Sequence, residues 1–223
     1  MAVDSRNQHL YISRCIEPDN EIMISVHTIS ESNRPSEIPK HNWRDYFGRY
    51  VTLSITAESN VLLTLMESRK LIEYTYNGDI EKVLREIEIT DLANPLHAVK
   101  QSKETYVVCH GENRDKKHRV CIVNASGHLL KDFCLKMNQN MNMSVVPMYL
   151  ALGKGGSIIV AENRRGRVMQ LNADLTAGDV LLTIKNDGLG GPCRLLLDKA
   201  GGEIIVAYNE HGWQDGKLFI RDI

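Results

Sequence analysis

Short apolar runs recur along the chain at a nearly constant spacing. They are Leu10-Tyr11-Ile12, Leu62-Leu63, Tyr106-Val107-Val108, Ile158-Ile159-Val160 and Ile204-Ile205-Val206, and their starts are separated by 52, 44, 52 and 46 residues. Each run sits in a similar setting. An apolar segment and a polar turn precede it, as in Tyr149-Leu150-Ala151-Leu152 before Gly153-Lys154-Gly155-Gly156, or Arg194-Leu195-Leu196-Leu197 before Asp198-Lys199-Ala200-Gly201-Gly202. A polar loop and a third apolar segment follow it, as in Arg119–Val123, Arg167–Leu171 and Lys217–Ile220. A fourth segment often comes after a Gly or Asp turn, as in Asp179–Ile184. Each unit therefore reads as four short strands joined by hairpins.

Strand units repeating every 40–50 residues or so predict a propeller. The strands are β-branched and nearly continuous in apolarity, whereas a sheet with one wet face should alternate. Both faces must be covered, and sheets packed face to face around an axis supply that cover. The units run over approximately 1–46, 47–92, 93–143, 144–188 and 189–223 of a single domain, 1–223. The expected fold is all-β, a propeller of about five recognisable four-stranded blades. The last unit stops after its third strand, which leaves either a five-bladed ring closed by an irregular strand or a piece of a six-bladed ring; the incomplete six-bladed ring is the expectation. Within Asp79–Ile87, apolar residues fall at i, i+3, i+4 and i+7, a helical period. The position of the segment in the repeat is that of a fourth strand, and strand is the expectation.

Tyr106-Val107-Val108-Cys109-His110-Gly111 followed by His118-Arg119-Val120-Cys121-Ile122-Val123 resembles a blade of the NHL-repeat propellers in invertebrate tripartite-motif-like proteins. Leu71–Gly78, and Ile158–Asn163 with Arg167-Val168, fit the same repeat. The resemblance covers most of 47–223; over 1–46 only the strand order carries it. It implies a propeller, usually six-bladed, that presents one face to a protein targeted for ubiquitin transfer or to an RNA stem-loop. The chain departs from the family in lacking the Cys/His clusters of a RING or B-box. By itself it cannot load a ubiquitin-conjugating enzyme.

Composition narrows the function classes. The net charge of −1 over 223 residues is no polycation, so nucleic-acid binding would need a local patch. No apolar run approaches the roughly 18 residues of a membrane span. Met1-Ala2-Val3-Asp4-Ser5 shows no secretory pattern. Cys15, Cys109, Cys121, Cys134 and Cys193 are odd in number and form no CxxC pair. That usage fits a reducing compartment, and a cytoplasmic location is the expectation. GxSxG, HExxH, Walker and strand-to-helix GxGxxG patterns are all absent. No catalytic residue, metal or small-molecule cofactor is expected. Glu162, Asn163 and Asn209 could be cast as channel-metal ligands, but their place just after the second strand puts them away from the axis. His27, His97, His110 and His128 are scattered without ligand spacing and read as structural or incidental.

The informative loops join the second and third strands, which emerge on one face of a propeller. Three are basic: Glu67–Lys70, Glu112–Arg119 and Glu162–Arg167. Arg69, Lys70, Arg114, Lys116, Lys117, Arg119, Arg164, Arg165 and Arg167 stand there against four acids. Consecutive blades should gather them into one arc, able to meet a phosphate backbone or an acidic protein surface. A solvated set of hairpin tips is the plainer reading of the same charges. Trp213, between Gly212 and Gly216, is a candidate anchor or a cover for the last blade. The expected function is a non-catalytic scaffold for macromolecular recognition, with a protein partner in a ubiquitin-ligase context first. RNA binding through the basic arc comes second, and a propeller hydrolase or lyase with a channel metal third.

Overall fold

Both faces of the apolar strands are covered, because sheet stacks on sheet. The structure, a computed structural model, describes residues 2–4, 9–16, 21–28, 36–37, 41–43, 51–76, 81–111, 119–134, 147–162, 166–183, 189–198, 203–210 and 216–222. Side chains are described for 51–75, 82–111, 119–134, 149–162, 166–183, 191–192, 194–197 and 203–207.

The first sheet holds β1 (Ala2–Asp4), β2 (His9–Ile16), β3 (Glu21–Thr28), β4 (Ser36–Glu37) and β5 (His41–Trp43). The second holds β6 (Val51–Ile55), β7 (Val61–Leu65), β8 (Lys70–Tyr76) and β9 (Glu81–Glu88). The third holds β10 (Pro95–Lys100), β11 (Thr105–His110), β12 (Arg119–Asn124) and β13 (Leu129–Cys134). The fourth holds β14 (Pro147–Leu152), β15 (Ile158–Glu162), β16 (Arg167–Leu171) and β17 (Gly178–Thr183). The fifth holds β18 (Leu189–Asp198), β19 (Glu203–Glu210) and β20 (Gly216–Asp222). All pairings are antiparallel between strands adjacent in sequence, apart from β5, which joins β3. Among the described residues there is one 3-10 turn, Lys154–Gly156, and no α-helix.

Three apolar layers join the second to fifth sheets. Leu62, Leu71 and Ile87 meet Ala98, Tyr106, Val108, Cys121 and Val123. Val107, Cys109, Val120 and Ile122 meet Leu150, Ile158, Val160 and Leu171. Tyr149, Ile159, Ala161 and Val168 meet Leu195, Ile204 and Val206. Successive residues of β11 and β15 thus enter different layers, which is why those strands read as unbroken apolar runs. Each fully buried Val, Leu or Ile contributes about 1.5–3 kcal/mol to this stacking.

The helical period in 79–87 does not produce a helix. Glu81–Glu88 pairs with β8, Glu73 opposite Arg85 and Tyr74 opposite Val83, so Leu84 is a bulge residue. The bulge changes the side of the strand on which apolar residues fall. Ile87 turns into the core, while Val83 and Leu84 stay exposed. At the β12–β13 hairpin, Asn124 Oδ1 accepts the backbone N–H groups of Ser126 and His128. Gly127 there adopts φ 82°, and a Cβ would lie 2.0 Å from the Glu88 carbonyl oxygen.

Candidate functional site

The first strands of neighbouring sheets run side by side in the same direction. Thr52 donates to the Leu96 carbonyl and Ser54 to the Ala98 carbonyl, two residues further along both strands. The second and third sheets therefore expose corresponding turns at corresponding ends. In the second to fifth sheets the end of the second strand pairs with the start of the first: Val51 with Leu65, Pro95 with His110, Pro147 with Glu162 and Leu189 with Glu210. The connection from second to third strand leaves from that end.

A basic residue opens the third strand in each of three consecutive sheets. Lys70 pairs with Leu65, Arg119 with His110 and Arg167 with Glu162. Each is matched by a carboxylate of its own sheet. Lys70 Nζ lies 2.5 Å from Glu86 Oε1 on β9. Arg119 pairs with Asp132 on β13. Arg167 donates from Nε to Glu162 Oε2 at 2.6 Å and also reaches that oxygen through a terminal nitrogen. Glu162 is fully buried beneath the Arg167 guanidinium, so this pair is more costly to break than the two exposed ones.

Arg69 stands apart. It is exposed, sits at the end of the β7–β8 turn, and adopts a left-handed φ of 54°. Gly166, which likewise precedes the third strand in the fourth sheet, has φ 59°. Glycine takes this conformation without the steric cost an L side chain bears. The Arg69 carbonyl accepts the Ile89 N–H at 2.8 Å, so the backbone there is held. Arg114, Lys116, Lys117, Arg164, Arg165 and Trp213 lie outside the described residues. So does Asn163, and the side chain of Asn209 likewise. Among the described residues no cluster of three or more His, Cys, Asp or Glu could hold a metal ion.

A polar stack on the inner strands escaped the sequence reading. His97 on β10 and Tyr149 on β14 lie with ring centroids 3.8 Å apart at 28°. The Arg194 guanidinium on β18 sits 5.4 Å from the centre of the Tyr149 ring. Pro95-Leu96-His97, Pro147-Met148-Tyr149 and Pro192-Cys193-Arg194 recur in three first strands, and that triplet is the signal that could have found the stack. A register shift follows the proline each time, between Pro95 and His97, Pro147 and Tyr149, and Pro192 and Arg194. His110, at the end of β11, places Nε2 3.1 Å from Cys121 Sγ. Burial pushes the Cys121 thiol up to about 12, so it is no nucleophile at neutral pH.

No family model matches the chain, and no curated protein matches it in sequence. Solved structures do. A protein of unknown function from Bacteroides caccae superposes with a TM-score of 0.57 at 17% identity, over 91% of this chain and 74% of that one. Virginiamycin B lyase from Staphylococcus aureus superposes with a TM-score of 0.50 at 15% identity, over 100% and 73%. A chain of the nidogen/laminin complex superposes with a TM-score of 0.54 at 14% identity, over 98% and 78%. At such identities the likeness shows the fold alone. The lyase and the nidogen/laminin chain are β-propellers, and the successive antiparallel sheets of this chain have the β-propeller fold.

Proposed function

We propose that the chain is a non-catalytic propeller module that recognises a protein partner through the face carrying its second-to-third-strand connections. The observation that carries this reading is the charge arrangement there. Lys70, Arg119 and Arg167 are each matched by Glu86, Asp132 and Glu162 of the same sheet. Glu162 lies buried beneath Arg167, while Glu86 and Asp132 are partly exposed, so the strand ends of the second and third sheets offer both signs of charge in fixed geometry. That suits the mixed polar rim of a protein interface better than the uniform positive field a phosphate backbone rewards. The sequence resemblance to tripartite-motif NHL propellers supports reading such recognition in a ubiquitin-ligase context, with this module selecting the target and another component supplying the transfer chemistry. A cytoplasmic setting goes with that reading.

On this reading the cations in the sequence of 112–118 and 163–165, with Arg69, contact acidic groups of the partner. The test is affinity capture from extract, with and without nuclease, by the chain and by a variant carrying Arg114, Lys116, Lys117, Arg164 and Arg165 changed to Glu. A protein ligand survives nuclease, is lost with the variant, and shows a shallow salt dependence. Recovery of RNA instead, with affinity falling steeply in salt, would transfer the face to the RNA reading.

A further inference from the structure

One imidazole ties three consecutive inner strands together. His97 on β10 is fully buried. The Leu150 N–H of β14 donates to its Nδ1 at 3.2 Å, so Nδ1 carries no proton. The ring proton therefore sits on Nε2, 3.2 Å from the Leu53 carbonyl of β6, to which it donates. The Tyr149 hydroxyl donates to that same carbonyl at 3.2 Å while its ring stacks on the imidazole. From β6, the Thr52 and Ser54 hydroxyls are turned to the Leu96 and Ala98 carbonyls. From β11, Cys109 faces His97 in register, its thiol kept neutral by burial. Among the described residues, the charge acting on the ring is cationic, that of Arg194 on β18.

We infer that His97 is an acid-labile clasp of the inner ring, whose protonation at Nδ1 disconnects β14 from β10 and loosens the stacking of three blades. A protonated Nδ1 would point its N–H at the Leu150 N–H, donor against donor. The new charge would also be buried beside the cation at Arg194. The ring can gain a proton only by leaving its place. Burial, opposed by the Leu53 carbonyl and reinforced by Arg194, accordingly lowers its pKa from 6.5 to about 3. Between those values the unfolded chain binds a proton that the folded chain refuses. The contribution of the clasp to stability is complete above the unfolded value and is lost as pH falls toward the folded one.

The unfolding equilibrium of the full chain in urea, at pH 7.5 and pH 4.5, is compared with that of His97→Gln. The glutamine amide can accept from Leu150 and donate to Leu53 but has no proton to gain. The unfolding constant of the unaltered chain should rise on the order of a hundredfold more than that of the variant across this interval. Equal responses overturn the inference. A long-range proton–nitrogen spectrum of the unaltered chain gives a second reading, independent of whether the variant folds. It should show His97 as the Nε2–H tautomer, unchanged from pH 7.5 to 5. A His97 that titrates near 6.5, or carries its proton on Nδ1, overturns the inference as well.

Discussion

Replacing Lys100 by methionine strands a carboxylate between the second and third sheets. Glu73 on β8 is 3% exposed. Its Oε1 accepts from Lys100 Nζ and Asn60 Nδ2, both at 2.8 Å, and its Oε2 accepts from the Tyr106 hydroxyl at 3.1 Å. Lys100 also lies 3.4 Å from Glu58, but that carboxylate is more than half exposed, so water screens the contact and it counts for little. Removing one partner of a buried pair costs about 3–5 kcal/mol, because the other charge stays behind in a poor solvent. Asn60 and Tyr106 still donate to Glu73 in the variant. The Tyr106 proton is firmly held, since burial and the Glu73 charge push its pKa up to about 12. Lys100→Met should therefore lie near the lower end, about 3 kcal/mol. Adding Glu73→Gln should restore most of the loss, since no uncompensated charge then remains. Urea unfolding with an unchanged m-value measures both. A loss under about 1 kcal/mol for Lys100→Met would refute the burial of this pair and the blade contact built on it.

Arg69→Gly should stabilise the chain by about 0.5–1 kcal/mol, because glycine relieves the left-handed strain at some cost in chain entropy; a lower Tm would show that the turn is held by the arginine side chain. Gly127→Ala should do the reverse, costing at least about 2 kcal/mol from left-handed strain and the clash with the Glu88 carbonyl, read as a fall in Tm. The His97 comparison already described should give a stability that falls between pH 7.5 and 4.5 in the unaltered chain by more than in His97→Gln.

The blades were visible in the sequence because the second strands of the second, third and fourth sheets are buried on both faces. Tyr106–His110 and Ile158–Glu162 are buried at every position, and such runs stand out against charged turns. The charge of the candidate face was less visible. Counting nine cations against four acids in the loops omits Glu86 and Asp132, which stand on outer strands 16 and 13 residues from Lys70 and Arg119. Cross-strand register brings those acids to the strand ends, and local composition cannot report it. The inner stack was hidden for a related reason. A register shift after Pro95 and after Pro147 changes the side of the strand on which His97 and Tyr149 fall, and a simple alternation count does not follow that change. His97 thus looked like a stray histidine, although three sheets meet at it.

Quantitative capture by the unaltered chain and by the five-fold Arg/Lys→Glu variant, after nuclease treatment and across a salt series, tests the central claim most directly. A protein that resists nuclease, binds the unaltered chain with a shallow salt slope and is missing from the variant is the predicted result. Nucleic acid as the sole ligand, or equal capture by both chains, would contradict recognition of a protein through this face.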